Sequence, residues 1–101
     1  MEEAGAVKHA GGESLDVLEP LLAEIRLRPD LKEKKRGTFY RKGRAWLHFH
    51  EDPKGMFADL RGPDDWLRLR VSDPAEQEAL LAAMDAALRD AVTLEARRRV
   101  A

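Results

Sequence analysis

His48, His50 and Asp59 are the residues in this sequence whose types and spacing could carry out chemistry. The two histidines are separated by one residue, so on a β-strand both imidazoles would point to the same face. Two imidazoles and a carboxylate can bind a divalent transition metal, and a histidine beside an aspartate can act as a general base. The three residues are therefore candidate metal ligands, and His48 and Asp59 are candidate catalytic residues.

Whether these residues meet depends on the register between two predicted strands. If the loop at residues 51–55 closes so that His50 faces Phe57, then His48 faces Asp59. Directly opposed residues on one face have Cβ atoms about 5 Å apart, and a slip by one residue would turn the whole set to the buried side. Because a histidine–x–histidine spacing is a weak motif, a simple hydrogen bond between His48 and Asp59 is the main alternative. No cofactor is predicted from the sequence.

Four segments in which apolar and polar residues alternate predict the strands that would position these side chains. They span residues 38–41, 44–50, 56–61 and 66–71. The connections between them are short and rich in glycine, proline and charged residues, which is typical of turns between antiparallel neighbours. The pattern therefore predicts a four-stranded antiparallel meander.

An amphipathic helix is predicted on either side of the meander. Before it, Leu18, Leu22 and Ile25 recur with helical spacing, which predicts a helix over about residues 17–28. After it, an N-terminal capping signature that begins at Asp73 opens a second helix. Two helices with one apolar stripe each can cover one face of a sheet. The predicted fold class is therefore α+β, a two-layer sandwich with the element order αββββα.

Length and composition limit the classes to which the protein can belong. The chain has 101 residues, of which 37% are charged, a formal net charge of -1 and no cysteine. These values predict a single domain and exclude disulfide scaffolds, thiolate metal sites and cysteine nucleophiles. No apolar run approaches the roughly 20 residues of a membrane span, and the N-terminus does not resemble a secretory signal, so we expect a cytoplasmic protein without membrane contact. We expect a flexible N-terminal tail at residues 1–13, the domain at residues 14–96 and a basic C-terminal end at residues 97–101.

The alternation within the predicted strands assigns their side chains to two faces. The face towards the helices would carry Tyr40, Ala45, Leu47, Phe49, Met56, Ala58, Leu60, Leu67, Leu69 and Val71. The opposite face would carry Phe39, Trp46, His48, His50, Phe57, Asp59, Arg61, Trp66, Arg68 and Arg70. This second face holds both tryptophans of the chain, and large exposed aromatic patches usually mark a partner, a ligand or an oligomer interface.

The aromatic face favours an interaction role for the protein. The predicted interface or ligand-binding residues are Phe39, Trp46, Phe57, Arg61, Trp66, Arg68 and Arg70. Tryptophan, phenylalanine and arginine are enriched in interface cores, and symmetric dimers are the commonest oligomers, so a homodimer is predicted. The structural alternative is that a helix or the N-terminal segment of the same chain covers this face.

Nucleic-acid binding is a second function that the sequence leaves open. Residues 26–44 carry nine bases against two acids, and the aromatic face could stack unpaired bases. The overall charge is slightly negative and the element order is not that of an RNA-recognition domain, so we favour this function less. An enzyme site at His48, His50 and Asp59 is the third alternative.

The segment GTFYRKGRAWLHFHED at residues 37–52, followed by GMFADL at residues 55–60, resembles a block shared by a group of short bacterial proteins without an assigned activity. The resemblance covers about residues 37–72 and, more weakly, the final helix. It implies a bacterial origin and a small cytoplasmic domain, and it carries no catalytic residue over to this chain.

Overall fold

Tight turns with positive φ angles divide the middle of the chain into consecutive strands. Lys42 and Gly43 have φ angles of 51° and 78°, which suit a two-residue type I′ hairpin turn. The computed structural model describes residues 8–100. Along these residues the elements are β1 (Lys8–His9), α1 (Gly12–Val17), α2 (Glu19–Ile25), β2 (Lys32–Lys35), β3 (Thr38–Arg41), β4 (Arg44–Asp52), β5 (Gly55–Arg61), β6 (Trp66–Arg70) and α3 (Pro74–Val100).

The strands form one antiparallel sheet in the order β2-β3-β4-β5-β6, with β1 paired to the C-terminal end of β4. The predicted α+β class, with an antiparallel sheet and a C-terminal helix, is confirmed. The sheet of the described residues has six strands, however, and not the four that were predicted. The two additional strands escape a search for alternation because β1 has only two residues and β2 reads Lys-Glu-Lys-Lys.

The N-terminal part of the fold differs from the prediction of a tail followed by one helix over residues 17–28. Residues 8–13, predicted as part of the flexible tail, contain β1 and the beginning of α1, whereas residues 1–7 lie outside the described part of the chain. Two short helices, α1 and α2, meet at Leu18. Pro20 lies in the first turn of α2, where a helix needs no N–H at this position. In one continuous helix through residues 12–25, the same proline would remove a backbone hydrogen bond.

Helix α3 begins at the predicted capping signature. The side chain of Asp73 accepts a hydrogen bond from the backbone N–H of Glu76 (2.8 Å), and the Glu76 carboxylate accepts one from the backbone N–H of Ser72 (2.8 Å). These bonds satisfy N–H groups that a helix terminus leaves free. The helix continues to Val100 and so includes most of the segment predicted as a basic end. Among residues 8–100, no helix is both long and apolar enough to cross a membrane.

The hydrophobic core lies between one face of the sheet and all three helices. Its buried residues are Leu15, Leu18, Leu21, Leu22, Ile25, Phe39, Trp46, Leu47, Phe49, Ala58, Leu60, Val71, Leu80 and Met84. The two N-terminal helices supply four of these side chains, Leu18 at their junction supplies a fifth, and α3 supplies two. The helices therefore cover the face that contains Leu47 and Phe49, which leaves the face with His48 and His50 on the other side of the sheet.

A β-bulge between β3 and β4 corrects the predicted positions of Phe39 and Trp46. Tyr40 pairs with Ala45 but Phe39 pairs with Leu47, so Trp46 is an extra residue on β4. Directly paired residues share a face, which places Phe39 beside Leu47 in the core and Tyr40 with Ala45 on the opposite face. Phe39 is 1% exposed and Trp46 is 5% exposed. The prediction that both aromatic residues lie on an exposed face is therefore wrong, as is the prediction that Tyr40 and Ala45 face the helices.

Arg41 forms a bidentate ion pair with Glu95 that connects the sheet to α3. Because of this pair, we expect the free energy of unfolding to fall in acid. The two guanidinium nitrogens of Arg41 donate to the two carboxylate oxygens of Glu95 at 2.9 and 3.1 Å. This hydrogen bonding lowers the pKa of Glu95 from 4.5 to about 2. A carboxyl group with a lowered pKa in the folded state contributes stability that is complete above pH 4.5 and is lost as the pH falls towards 2.

We therefore expect Glu95→Gln to be less stable than the unchanged protein at pH 7, with the two melting temperatures converging near pH 2. Glu78→Gln is the matched control, because Glu78 is an exposed residue of the same helix and forms no ion pair with a described residue. Melting curves followed by circular dichroism between pH 7 and pH 2 make the comparison. An equal pH dependence in Glu95→Gln and Glu78→Gln would contradict the assignment.

Candidate metal centre

Three imidazoles meet on the sheet face that the helices leave uncovered. His48 and His50 come from β4, and β1 places His9 directly opposite His50. One ligand nitrogen from each ring lies within 4.8 Å of the other two. The ring centroids are 4.8 Å apart for His48 and His50, 4.9 Å for His9 and His50, and 5.8 Å for His9 and His48. We call these three residues the histidine cluster.

The register on which the sequence prediction depended is confirmed. His48 pairs with Asp59 and His50 pairs with Phe57 across β4 and β5. Directly paired residues share a face, so Asp59 lies beside His48 and His50, and it is only 7% exposed. The sequence therefore located two of the three histidines and their neighbouring carboxylate correctly.

Both carboxylate oxygens of Asp59 accept hydrogen bonds from Arg68, so Asp59 is better placed to orient the histidines than to bind a metal ion itself. Nε and Nη2 of Arg68 donate to the two carboxylate oxygens of Asp59 at 2.7 and 2.8 Å. These hydrogen bonds hold the pKa of Asp59 below its ordinary value, so that the carboxylate stays charged. The same Oδ2 atom lies 2.8 Å from Nε2 of His50 and 4.0 Å from Nδ1 of His48.

One nitrogen of the cluster is buried and has no hydrogen-bond partner among residues 8–100. This atom is Nδ1 of His48, whereas Nε2 of His50 is also buried but lies 2.8 Å from Oδ2 of Asp59. A buried polar atom without a partner is costly, and native structures usually supply one from the protein, from water or from an ion. Burial and the neighbouring His50 lower the pKa of His48. A neutral imidazole is the form that binds a metal ion.

An aromatic and an arginine side chain border the cluster. The ring of Trp66 contacts His48 edge to face, with centroids 4.8 Å apart, and Trp66 is 37% exposed. The guanidinium of Arg61 lies over the Trp66 ring at 4.5 Å, and its Nε donates to the Ala45 carbonyl oxygen at 2.6 Å. Trp66 and Arg61 thus form a wall on one side of the histidine cluster.

The remaining predicted interface residues do not form one exposed surface. Phe39 and Trp46 are in the core, on the helix side of the sheet. Phe57 is half-buried opposite His50. Arg70 reaches the first turn of α3, where it pairs with Glu76 at 3.3 Å, and it also donates to the Lys54 carbonyl oxygen. The structure brings His48, His50, Asp59, Trp66 and Arg68 together but separates them from the two buried aromatics.

His9 is the ligand candidate that sequence reasoning missed, since it was assigned to a solvated tail. Its strand has only two residues and is followed by Ala10, Gly11 and Gly12, so no alternation predicts it. Backbone hydrogen bonds hold the segment on β4: the N–H of Ala10 donates to the Phe49 carbonyl oxygen at 3.2 Å, and the N–H of Gly11 donates to the Glu51 carboxylate at 2.7 Å. The one sequence signal is that the chain contains only three histidines.

Five of the nine basic residues at positions 26–44 form ion pairs with carboxylates of the same chain. The arginines of this segment that form ion pairs are Arg26 (with Glu19 and Glu33), Arg28 (with Asp85), Arg36 (with Asp16 and Glu19) and Arg41 (with Glu95 and Asp30). Lys42 also reaches Glu95 at 3.2 Å. A continuous track of free cations for a phosphate backbone is therefore not available along this segment.

No family model, no curated protein and no solved structure matches this chain. The chemistry of the site therefore has to be inferred from its own geometry.

Proposed function

We propose that this protein binds a divalent transition metal ion, with zinc as the principal candidate, through His9, His48 and His50. The observation that carries the proposal is the convergence of three imidazole nitrogens within 4.8 Å on one sheet face. Imidazole is a preferred ligand of zinc, and catalytic zinc sites use three protein ligands and keep the fourth position for water or substrate. The buried Nδ1 of His48, which has no hydrogen-bond partner among the described residues, supports the same assignment.

Two of the proposed ligands, His48 and His50, lie on a central strand, whereas His9 lies on a short strand whose position can adjust on metal binding. Zinc–nitrogen bonds of 2.0–2.1 Å in a tetrahedral site bring nitrogens to about 3.3 Å from one another, which is closer than the upper limit of 4.8 Å here. His48 and His50 lie on the central strand β4, which has neighbours on both sides. His9 lies on the two-residue strand β1, so the necessary contraction falls mainly on His9.

Asp59 and Arg68 would act as supports for the metal ligands. Metal-binding histidines commonly interact with a carboxylate through the ring nitrogen that does not bind the ion, and this contact orients the ring. The Asp59 carboxylate is 2.8 Å from His50 and is itself fixed by two hydrogen bonds from Arg68. This differs from the sequence hypothesis, in which Asp59 was the third ligand and His9 had no role.

The geometry favours metal binding over the two other hypothesised functions. A homodimer built on the aromatic face was expected to use Trp46, Phe57 and Trp66 as anchors. Trp46 is inside the core, which separates it from the half-buried Phe57 and the partly exposed Trp66 on the other face of the sheet. Nucleic-acid binding would use the cations of residues 26–44, and most of its arginines are paired with carboxylates. The histidine cluster requires neither an exposed Trp46 nor unpaired cations at residues 26–44.

Titration of the chelator-treated protein with cobalt(II) and zinc(II) tests the proposal. We expect one ion per chain, visible-region absorption typical of tetrahedral cobalt, and displacement of cobalt by zinc. His48→Ala and His50→Ala should each weaken zinc binding by about 10²-fold or more, because each removes one of three ligands. Since the chain has only three histidines, no other imidazole can replace them.

Lys8→Ala is the matched control for the third ligand. Lys8 and His9 are neighbouring exposed residues on β1, so both substitutions alter the same strand, but only His9→Ala removes an imidazole. We expect His9→Ala to weaken zinc binding and Lys8→Ala to leave it unchanged, with the folded state of each variant checked by circular dichroism. Zinc affinity that is equal in the unchanged protein and in all three histidine variants would refute the metal site.

A further inference from the structure

The second half of α3 leaves part of the sheet uncovered. Leu80 and Met84 of this helix are completely buried, whereas Val92 and Leu94 are 48% and 45% exposed. A helix of 27 residues is about 40 Å long at 1.5 Å per residue, and the longest strand has nine residues. The helix therefore extends beyond the sheet, and its later turns lack the packing that its first turns have.

A groove with a volume of about 560 Å³ lies between these later turns and the sheet. Its sheet side is formed by Trp46, Leu60 and Leu67, and the apolar residues on its helix side are Ala83, Ala86, Ala87, Ala91 and Leu94. The short alanine side chains leave space between helix and sheet. Leu67 was predicted as a core residue but is 50% exposed, since nothing in the described chain fills this space. The volume is in the range of small-molecule sites, which are mostly apolar.

The charged residues that line the groove are predominantly cationic. Arg41 and Lys42 are already paired with Glu95, but Arg44, Arg61 and Arg98 form no ion pair with a described residue. Asp90 is the only lining carboxylate among the described residues that lacks such a pair. An anionic group is therefore the charge complement of the groove, and arginine binds carboxylates with strong, directional hydrogen bonds.

We propose that this groove binds an anionic amphiphile, namely a carboxylate attached to an apolar chain. The apolar part contacts Trp46, Leu67 and the alanines of α3, and the carboxylate binds the arginines of the rim. A second copy of the chain is a poorer complement, because docking α3 of one copy against the groove of another brings further arginines, Arg97 to Arg99, to a rim that is already cationic. The groove lies on the helix side of the sheet and contains none of the three histidines, although Arg61 lies between the groove and Trp66 beside the histidine cluster.

Trp46 provides a direct reporter for the proposed ligand. The chain has two tryptophans, and Trp66 lies on the other face of the sheet, so Trp66→Phe leaves Trp46 as the only one. We expect dodecanoate, below its micellar concentration, to change Trp46 emission in a saturable way. Dodecyltrimethylammonium, which has the same chain and the opposite charge, should bind at least tenfold more weakly.

Two kinds of variant locate the ligand in the groove. Arg44→Gln combined with Arg98→Gln should weaken dodecanoate binding at least tenfold, whereas Arg89→Gln, an exposed arginine of α3 outside the groove, should not. Ala91→Phe should weaken dodecanoate binding, because the larger side chain fills the groove. Absence of a saturable signal, equal binding of the cationic amphiphile, or a dimer in light scattering that Ala91→Arg dissociates would each overturn the proposal.

Discussion

Replacing Phe39 by alanine is expected to destabilise the protein by about 3–5 kcal/mol, the range observed for large-to-small substitutions of buried aromatic residues. Phe39 is 1% exposed and is one of the largest fully buried side chains. It lies beside Leu47 because of the bulge at Trp46. The substitution would remove apolar contacts and leave a cavity in the centre of the core.

Equilibrium denaturation in urea measures this change. Phe57→Ala is the matched control, because Phe57 is a half-buried phenylalanine of the same sheet on the other face. We expect a clearly smaller loss for Phe57→Ala. A loss of only about 0.5 kcal/mol for Phe39→Ala would be typical of a surface position, and it would mean that β3 and β4 pair without the bulge.

Zinc is expected to raise the free energy of unfolding by about 2.7 kcal/mol when its free concentration is a hundredfold above its dissociation constant. The reason is that the histidine cluster exists only in the folded chain, where β1, β4 and their register bring the imidazoles together. For a domain of this size such a change corresponds to a rise in melting temperature of about 10 °C or more.

Differential scanning fluorimetry with and without zinc checks this expectation. His48→Ala should show a zinc-dependent rise of at most about 3 °C, because a hundredfold weaker site is only half occupied at this concentration. Magnesium should give no rise with either protein, because magnesium prefers oxygen ligands. A rise of the same size in His48→Ala would place the stabilising ion elsewhere on the molecule.

The sequence predicted the central part of the candidate site because local patterns determine it. The spacing of His48 and His50 on an alternating strand places both on one face, and the short turn before Gly55 fixes their register with Asp59. His9 could not be found in this way. Its position depends on backbone hydrogen bonds to β4 and on the Glu51 side chain, which are contacts between residues far apart in the sequence.

The exchange of faces at Phe39 shows why alternation alone was insufficient for the core. The turn at Lys42 and Gly43 sets Arg41 opposite Arg44 and Tyr40 opposite Ala45, and an uninterrupted ladder would then set Phe39 opposite Trp46. The bulge turns both aromatic side chains into the core instead. Burial of large apolar surface outweighs the local irregularity of one unpaired position, but no residue pattern near Trp46 signals it.

The charged strand β2 limits how far the sheet can be extended by other molecules. It forms one edge, and an incoming strand would have to dehydrate lysines along most of its length, a known obstacle to edge-to-edge aggregation. The other edge, β6, alternates apolar residues with Arg68 and Arg70, and both arginines are paired with carboxylates of the same chain. Fibril growth by strand addition requires two receptive edges on each molecule, so association through the sheets of this fold would stop at a pair.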